Sequence, residues 1–239
     1  MAALALFTRA MIAPFGPFGP DAPGIAFQWQ QIVMFISIAS MALGAFAAIG
    51  QTNIKRLMAY STIGHMGYAL VGLAAGTAQG IQGLLIYMVT YLAMTIGTFV
   101  VILSMRRREG MVEDIGELAG LSRNQPMMAA ALAILMFSLA GAPPFAGFFG
   151  KFYVFLAAID AKLYALAILG VLSSVVAAYY YLRIVKIMYF DEPAEAFDQP
   201  MPRVMGLLLA GASLFVLFFF VYPGPIMASA RAAASSLFP

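Results

Sequence analysis

Six apolar stretches, each about long enough to cross a lipid bilayer, dominate this sequence and leave little of it for a soluble domain. They cover residues 29–50, 59–77, 83–105, 127–159, 164–187 and 203–222. A membrane-spanning helix needs about 20 predominantly apolar residues, and 63% of the 239 residues here are hydrophobic while 10% are charged. The sequence therefore predicts an all-α polytopic membrane protein, with six full transmembrane spans forming one transmembrane domain over residues 1–239.

The first residues, MAALALFTRAM, are apolar but too few to span a bilayer, and they lack the basic region and cleavage site of a signal peptide. We expect an N-terminal half-helix here. The following segment PFGPFGPDAPG, residues 14–24, is rich in proline and glycine. Because these residues neither continue helices nor build strands, this segment is predicted to be an irregular connection.

The basic residues are distributed unequally between alternate loops, which predicts the orientation in the membrane because cytoplasmic loops retain Lys and Arg. One side has Lys55, Arg56, Arg106, Arg107, Arg108, Arg123, Arg183, Lys186 and Arg203, whereas the other has Lys162 and Arg231. The loops at 51–58, 106–126 and 188–202 are therefore predicted to be cytoplasmic. The C-terminus is predicted to be periplasmic.

Several smaller features have structural interpretations. In the loop 106–126, Glu113, Asp114 and Glu117 indicate either a short amphipathic segment on the membrane surface or a solvated connector. The loop 191–202 contains three prolines and is predicted to be irregular. The tyrosines at 179–181 are expected in an aromatic belt near a span end. Close helix packing is the expected role of four glycines, Gly64, Gly67, Gly72 and Gly76.

The fourth apolar stretch is too long for a single span. Its 33 residues would extend about 50 Å as one α-helix, against about 30 Å of hydrocarbon. Gly141, Pro143 and Pro144 lie near its centre, and the two prolines remove two backbone donors. We therefore predict two half-helices with a break at Gly141–Pro144. Non-helical backbone at this depth is tolerated inside protein or beside water, and broken helices mark ion pathways in transporters.

Lys151 follows this break by about two helical turns and precedes Asp160 by about 13 Å of helix rise. No acidic residue lies within the same apolar stretch. An ionisable residue at such depth costs a few kcal/mol, so it is a functional candidate. The alternatives are a lysine that reaches the interface, a structural ion pair, and a proton-relay group that binds and releases a proton.

The second informative stretch is QTNIKRLMAYSTIGHMGY, residues 51–68. Lys55 stands at its cytoplasmic end, where it either anchors the helix at the interface or begins a proton relay. His65 lies about two turns deeper, with Ser61 one turn before it on the same face. It is either a hydrogen-bonded core residue or a second relay group, because histidine titrates near neutrality. Tyr60, Tyr87, Thr90 and Tyr91 are candidates to extend this polar track.

Composition excludes other kinds of site. The chain has no cysteine and one histidine, so we expect no metal site, no cofactor and no catalytic residue in the chain itself. The 13 Lys and Arg residues include no basic run beyond Arg106–Arg108, so nucleic acid is not expected as a partner. The expected partner is the lipid bilayer.

Three motifs also carry a resemblance. With QTNIKRLMAYSTIGHMGY, SLAGAPPFAGFFGKFYVF at 138–155 and YYYLRIVKIMYF at 179–190, the chain resembles the C-terminal half of subunit N of the bacterial proton-pumping NADH:quinone oxidoreductase. This is respiratory complex I, whose antiporter-like subunits are Mrp-related. Asn53 and Lys151 look like subunit N: one sister subunit tends to have Asp at the first position, and the other has Glu at the second.

The resemblance implies a bundle of fourteen helices with two inverted repeats, of which this chain would supply the second repeat and the final helix. Lys151 would match the lysine of the second broken helix, at the exit side of the proton path, and His65 a polar residue near the central axis. The first repeat has no counterpart here. We therefore expect a fragment, a mis-started frame or one piece of a split subunit, which would not pump alone.

The same resemblance implies partners and location. The partners would be other membrane-arm subunits of complex I, with quinone, NADH, FMN and iron–sulfur clusters held by partner subunits. The chain would be a non-redox subunit of a proton-translocating enzyme in the bacterial inner membrane. Alternative interpretations are a subunit of a Mrp-type antiporter or membrane hydrogenase, or a structural fragment that does not pump.

Overall fold

The computed structural model describes residues 2–15, 24–108, 110–197 and 201–238, most of which are helical. The helices are α1 Ala2–Phe15, α2 Gly24–Ile49, α3 Ile54–Ala75, α4 Ala78–Ser104, α5 Leu121–Asn124, α6 Pro126–Ala140, α7 Ala146–Asp160, α8 Tyr164–Phe190, α9 Arg203–Phe218 and α10 Gly224–Ser235. Between α4 and α5 lie the paired strands β1 Arg106–Arg107 and β2 Gly110–Met111 and the 3-10 helix Ile115–Leu118. This two-stranded hairpin is a small departure from the predicted all-α class.

Three helices of the described chain are long and apolar enough to cross a membrane, judged by length and composition alone: Gln28–Ile49, Ala78–Ser104 and Tyr164–Phe190. The other predicted spans are of a different kind. Helix α3 carries two basic residues and a histidine, and α6 and α7 have 15 residues each, which is about 22 Å of rise apiece. The three long apolar helices thus indicate a multi-pass membrane protein, but they do not account for all six predicted spans.

The break predicted in the fourth apolar stretch is present. Helix α6 ends at Ala140 and α7 begins at Ala146, so two half-helices replace one long helix. The predicted N-terminal half-helix is also present, as α1. Most of the predicted irregular connection, residues 16–23, lies outside the described residues. The last predicted span is shorter than expected, because α9 ends at Phe218, and the additional helix α10 was not predicted.

Glycines bring α2, α3 and α4 into close contact, as predicted for Gly64, Gly67 and Gly72. The backbones of Gly44 and Gly64 face each other, and Gly67 lies against the backbone of α2. Its carbonyl accepts a hydrogen bond of 2.7 Å from Ser37 Oγ. Gly76 has a different role from the one predicted, because it terminates α3 with a left-handed φ of 63°, a conformation that favours glycine.

The three loops predicted to share one side of the membrane meet at one end of the bundle. Ile54 N–H donates to the Glu113 carbonyl at 2.8 Å, and Ala194 N–H donates to the Ala119 carbonyl at 3.0 Å. Ile115, Leu118 and Leu121 are buried in the same core as the long helices. Residues 115–121 are therefore neither a surface-lying amphipathic helix nor a loose connector, since Ile115, Leu118 and Leu121 pack inward.

Candidate functional site

Lys151 lies inside the bundle, on the second turn of α7. Its side chain is buried, with 6% of the residue exposed. The ammonium donates three hydrogen bonds: 3.1 Å to the Leu139 carbonyl, 3.0 Å to the Ala140 carbonyl and 2.8 Å to Ser174 Oγ. Three donors therefore meet three neutral acceptors, which satisfies the hydrogen-bonding capacity of an ammonium group without a carboxylate.

The two carbonyls are available to Lys151 because of the proline pair. In an α-helix the carbonyl of residue i accepts from the N–H of residue i+4, so Leu139 and Ala140 would be served by residues 143 and 144. Both of those residues are proline, which has no N–H. The carbonyls also lie at the C-terminal end of α6, where the helix dipole is negative and favours a cation. The break thus creates a cation-binding end at membrane depth, and Lys151 occupies it.

The rest of the break is held by local hydrogen bonds. Gly141 adopts φ 90°, and its N–H donates to the carbonyls of Phe137 and Ser138. This left-handed φ favours glycine, and a β-carbon at Gly141 would crowd the lysine, standing 3.1 Å from Lys151 Nζ. Gly147 N–H, in the first turn of α7, donates to Ser138 Oγ at 2.9 Å. One serine therefore joins the two half-helices directly.

His65 is the centre of a second buried polar cluster, formed by α3, α4 and α8. With 2% of the residue exposed, its Nδ1 lies 2.6 Å from Tyr87 Oη and its Nε2 lies 2.9 Å from Tyr181 Oη. The Tyr91 ring stacks on the imidazole at a centroid distance of 4.7 Å. Both ring nitrogens are thus hydrogen-bonded to hydroxyls, which can donate or accept a proton in either tautomer.

The polar track predicted around His65 is present in part. The Ser61 hydroxyl is hydrogen-bonded to Tyr181, and Tyr91 Oη donates to Thr62 Oγ1 at 2.9 Å. Thr90, in contrast, donates to the Tyr87 carbonyl of its own helix. Tyr60 is half-buried and lies outside this set of contacts.

The aromatic-belt prediction was wrong for two of the three tyrosines at 179–181. Tyr180 and Tyr181 are buried at 2% and 0%, whereas Tyr179 is exposed at 57%. The error came from assigning all three to a span end by sequence position. They point to different faces of α8, which continues to Phe190, and the inward face carries the two buried rings.

Tyr68 connects the surroundings of Lys151 and His65. Lys151 Nζ lies 5.0 Å from the centroid of the Tyr68 ring, and the same ring makes an edge contact with His65 at 5.9 Å. The first distance is typical of a cation–π interaction. Lys151 and His65, singled out separately in the sequence, thus belong to one continuous buried region.

Lys55 belongs to a different group, which we call the loop clamp: Asn53, Lys55 and Glu113. Lys55 Nζ and Asn53 Nδ2 each donate to the Glu113 carboxylate at 2.6 Å, and Asn53 Oδ1 caps the first turn of α3. The Lys55 ammonium and then the Asn53 amide hold the pKa of Glu113 below its usual value. Within the described structure, the Lys55 ammonium contacts Glu113 and Met111 and does not reach His65.

Sequence reasoning missed three residues of this region: Tyr68, Ser174 and Tyr181. Tyr68 is the last residue of the motif QTNIKRLMAYSTIGHMGY, one turn after His65, so helical spacing alone could have placed it beside the histidine. Ser174 and Tyr181 lie seven residues apart on α8, a separation that places both on one face. The missing information was which face of α8 turns inward.

An apolar groove of about 570 Å³ leads from the bundle surface to Lys151 between α6, α7 and α8. Its walls include Phe137, Phe152, Phe155 and Leu182, and Ser174 lies at its floor beside the lysine. Among the residues that the structure describes, no group of three or more His, Cys, Asp or Glu side chains is placed to hold a metal ion. The chemistry that this region can perform is proton binding and transfer through lysine, histidine and hydroxyl groups.

Comparisons with known proteins agree with this arrangement. Residues 5–177 match the family described as NADH:quinone oxidoreductase/Mrp antiporter, TM. The NADH-quinone oxidoreductase subunit N of Parvibaculum lavamentivorans is 61% identical over 239 residues, which are 100% of this chain and 48% of the relative. The chain thus spans about half the length of the curated relatives it matches.

Two solved structures have the same fold. Respiratory complex I from Thermus thermophilus, with bound aureothin, contains a chain that is 31% identical at a TM-score of 0.73, covering 83% of this chain and 45% of that one. The Mrp complex from Dietzia sp. contains a chain with a TM-score of 0.79 at 21% identity, covering 88% and 48%. On these matches, and on the length of the sequence that they cover, the chain belongs to the NADH:quinone oxidoreductase/Mrp antiporter transmembrane family.

Proposed function

We propose that this chain supplies the second half-channel of an antiporter-like subunit that translocates protons in the membrane arm of a bacterial NADH:quinone oxidoreductase. The observation that carries the proposal is Lys151, an ammonium buried at a helix break and bound by neutral acceptors only. Because the residues that the structure describes place no counter-charge beside it, the charged and neutral forms of the lysine differ little enough in free energy for the group to exchange a proton during turnover.

In this proposal Lys151 and His65 are relay groups, and Gly141, Pro143 and Pro144 build the site that Lys151 occupies. The tyrosines on either side of His65 support its part, because a hydroxyl on each ring nitrogen allows a proton to arrive at one and leave from the other. For Lys55 the contacts favour a structural part, since it forms a partly exposed ion pair with Glu113 that joins two loops.

The membrane arrangement that accompanies this proposal has six spans, with the loops at 51–58, 106–126 and 188–202 on the cytoplasmic side. The convergence of these loops at one end of the bundle supports a shared side. Helix α10 packs near Leu84 and Leu85, toward the opposite end of α4, which supports a periplasmic C-terminus. NADH, FMN, iron–sulfur clusters and quinone would be bound by partner subunits.

A Mrp-type antiporter has the same fold, so the fold does not separate the two functions. The 61% identity to a subunit named for NADH-quinone oxidoreductase, against 21% for the Mrp chain, favours complex I. A non-pumping scaffold remains as the outcome of a failed test.

The test is the substitution Lys151→Met in the full-length subunit, assembled in its native membrane complex. We expect proton movement through this subunit to be abolished, because methionine fills the same space without binding a proton. NADH-driven proton uptake by inverted membrane vesicles measures the effect, and a native gel measures assembly. Lys186→Met is the matched control, since Lys186 is exposed and pairs with Asp191. Normal pumping by assembled Lys151→Met would contradict the proposal and favour the scaffold.

A further inference from the structure

The three acceptors around the Lys151 ammonium are not equivalent. Backbone carbonyls of Leu139 and Ala140 accept hydrogen bonds but have no proton to pass on. Ser174 Oγ, 2.8 Å from Nζ, is a hydroxyl, which accepts a proton on one lone pair while it donates its own. A proton that leaves Lys151 through a direct contact of the described structure therefore passes through Ser174.

The other hydroxyls at the break are already engaged. Ser138 Oγ donates to Met94 Sδ and accepts from Gly147 N–H, and Thr90 Oγ1 donates to the Tyr87 carbonyl. Each of these bonds fixes the hydroxyl to its own structural neighbours. Among the described residues, Ser174 Oγ accepts from Lys151 Nζ, and its other polar neighbour is the Tyr68 hydroxyl.

Tyr68 supplies the next hydroxyl. Its Oη is buried and has no direct hydrogen-bond partner within the described structure, although the Ser174 hydroxyl lies nearby. A buried hydroxyl without a partner is costly, and a bound water molecule commonly satisfies such a group. The Tyr68 ring also contacts His65 and Tyr87, at centroid distances of 5.9 and 6.4 Å. The Tyr68 side chain thus contacts both buried polar clusters, through its ring and through a hydroxyl near Ser174.

We propose that Ser174 and Tyr68 carry the proton between Lys151 and the His65–Tyr87 pair, with one water molecule bridging Ser174 to Tyr68 and a second completing the path beyond Tyr68. This inference rests on the proposed function. Lys151 gives a proton to Ser174 Oγ as Ser174 gives its own through the first water to Tyr68 Oη, and Tyr68 passes its hydroxyl proton through the second water to the pair. Lys151 ends neutral, the imidazole ends protonated, and the hydroxyls and both waters are regenerated; the same steps in reverse bring a proton from the pair to Lys151.

The first test replaces Ser174 in the full-length subunit of the assembled complex. Ser174→Ala removes the hydroxyl, and we expect the initial rate of NADH-driven proton uptake to fall about tenfold per assembled complex. Ser174→Thr keeps a hydroxyl and is expected to restore the rate to within about twofold of the parent. Ser173→Ala is the control, because it removes the neighbouring hydroxyl on α8, which is not one of the hydrogen-bond partners of Lys151.

The second test is Tyr68→Phe, which removes one oxygen and retains the ring under Lys151. We expect a fall of similar size and an increased solvent deuterium isotope effect, because proton transfer becomes more rate-limiting. Tyr179→Phe, on the exposed face of α8, is the control. A role in packing alone would leave the isotope effect unchanged.

The outcomes separate this inference from the proposed function. Loss of pumping in Lys151→Met together with parental rates in both Ser174→Ala and Tyr68→Phe would overturn the path and leave the function standing. Normal pumping in Lys151→Met would overturn both. A loss in Ser174→Ala that Ser174→Thr does not rescue would also count against the path, since it would assign Ser174 a packing role.

Discussion

The two lysines predicted as relay groups, Lys151 and Lys55, occupy opposite kinds of environment. Lys151 is buried at the helix break and bound by two carbonyls and a hydroxyl. Lys55 lies in the loop clamp with its side chain 35% exposed, 2.6 Å from the Glu113 carboxylate. Both make good hydrogen bonds, so the number of contacts does not distinguish them. The two lysines differ in the charge of their partners, which are neutral around Lys151 and negative beside Lys55.

This difference separates a group that can exchange its proton from one that stabilises a fold. A nearby carboxylate stabilises the charged form of a lysine, whereas burial among neutral acceptors stabilises that form less. Surface ion pairs contribute little and are screened by salt. We therefore expect changes at the break to affect proton transfer and changes at the loop clamp to affect stability.

The largest effect is expected from restoring backbone donors at the break. Pro143→Ala with Pro144→Ala provides N–H groups that compete with Lys151 for the Leu139 and Ala140 carbonyls. Because hydrogen bonds to a charged group are worth about 1.5–3 kcal/mol each, proton uptake should fall by about tenfold or more. Proton uptake per assembled complex is the measurement. Pro126→Ala is the control, since proline at the first position of α6 replaces no intrahelical bond; equal losses in both variants would contradict the explanation.

His65→Gln is expected to have the next largest effect. Glutamine retains hydrogen bonding to the surrounding tyrosines but does not titrate near neutrality, so proton uptake should fall about tenfold and lose part of its dependence on pH between about 5 and 8. The pH profile of NADH-driven proton uptake is the measurement. An unchanged profile would assign His65 to packing.

Lys55→Met tests whether the lysine of the loop clamp contributes to proton uptake. It should leave proton uptake within about twofold of the parent, because an exposed ion pair contributes little, and should lower the thermal stability of the complex slightly. The stability difference should shrink in high salt, where the ion pair is already screened. Uptake as low as in Lys151→Met would show that Lys55 is a relay group after all.

The smallest effect concerns pH at the loop clamp. The pKa of Glu113 is lowered in the folded protein, so its contribution to stability is complete above the ordinary glutamate pKa and is lost as the pH falls through the lowered value. Glu113→Gln should therefore unfold at a lower temperature than the parent at pH 7. The two melting temperatures should converge as the pH falls below the lowered pKa of Glu113; a gap of constant size would contradict the ion pair as its cause.

Much of the fold followed from apolar length and from the proline pair. Helices α2, α4 and α8 are apolar over enough residues that only their ends were uncertain, and α8 extends to Phe190 rather than 187. The break followed from donors that proline lacks. Helix α10 was missed because its alanine-rich sequence is neither strongly apolar nor a membrane span. The inward packing of Ile115 and Leu118 depends on contacts with distant helices, which local pattern does not encode.

The part of the site that could be predicted from the sequence consists of residues whose chemistry differs from that of their apolar neighbours. Lys151 and His65 are ionisable groups within apolar sequence, and both proved to be buried. Ser174, Tyr68 and Tyr181 are ordinary residues in membrane helices, and their importance depends on which side of the helix faces inward. The carbonyls that bind Lys151 carry no side-chain signature at all; only the missing N–H groups of Pro143 and Pro144 reveal them.

The carbonyls that receive Lys151 lie 12 and 11 residues before it in the same segment. The charge is therefore solvated largely by its own stretch of chain, and most of its partners are available as soon as α6 and α7 enter the lipid together. Insertion of a lysine at this depth normally carries a penalty of a few kcal/mol. Here the break offsets part of that penalty during biogenesis, so the feature that forms the relay site also helps the chain to enter the membrane.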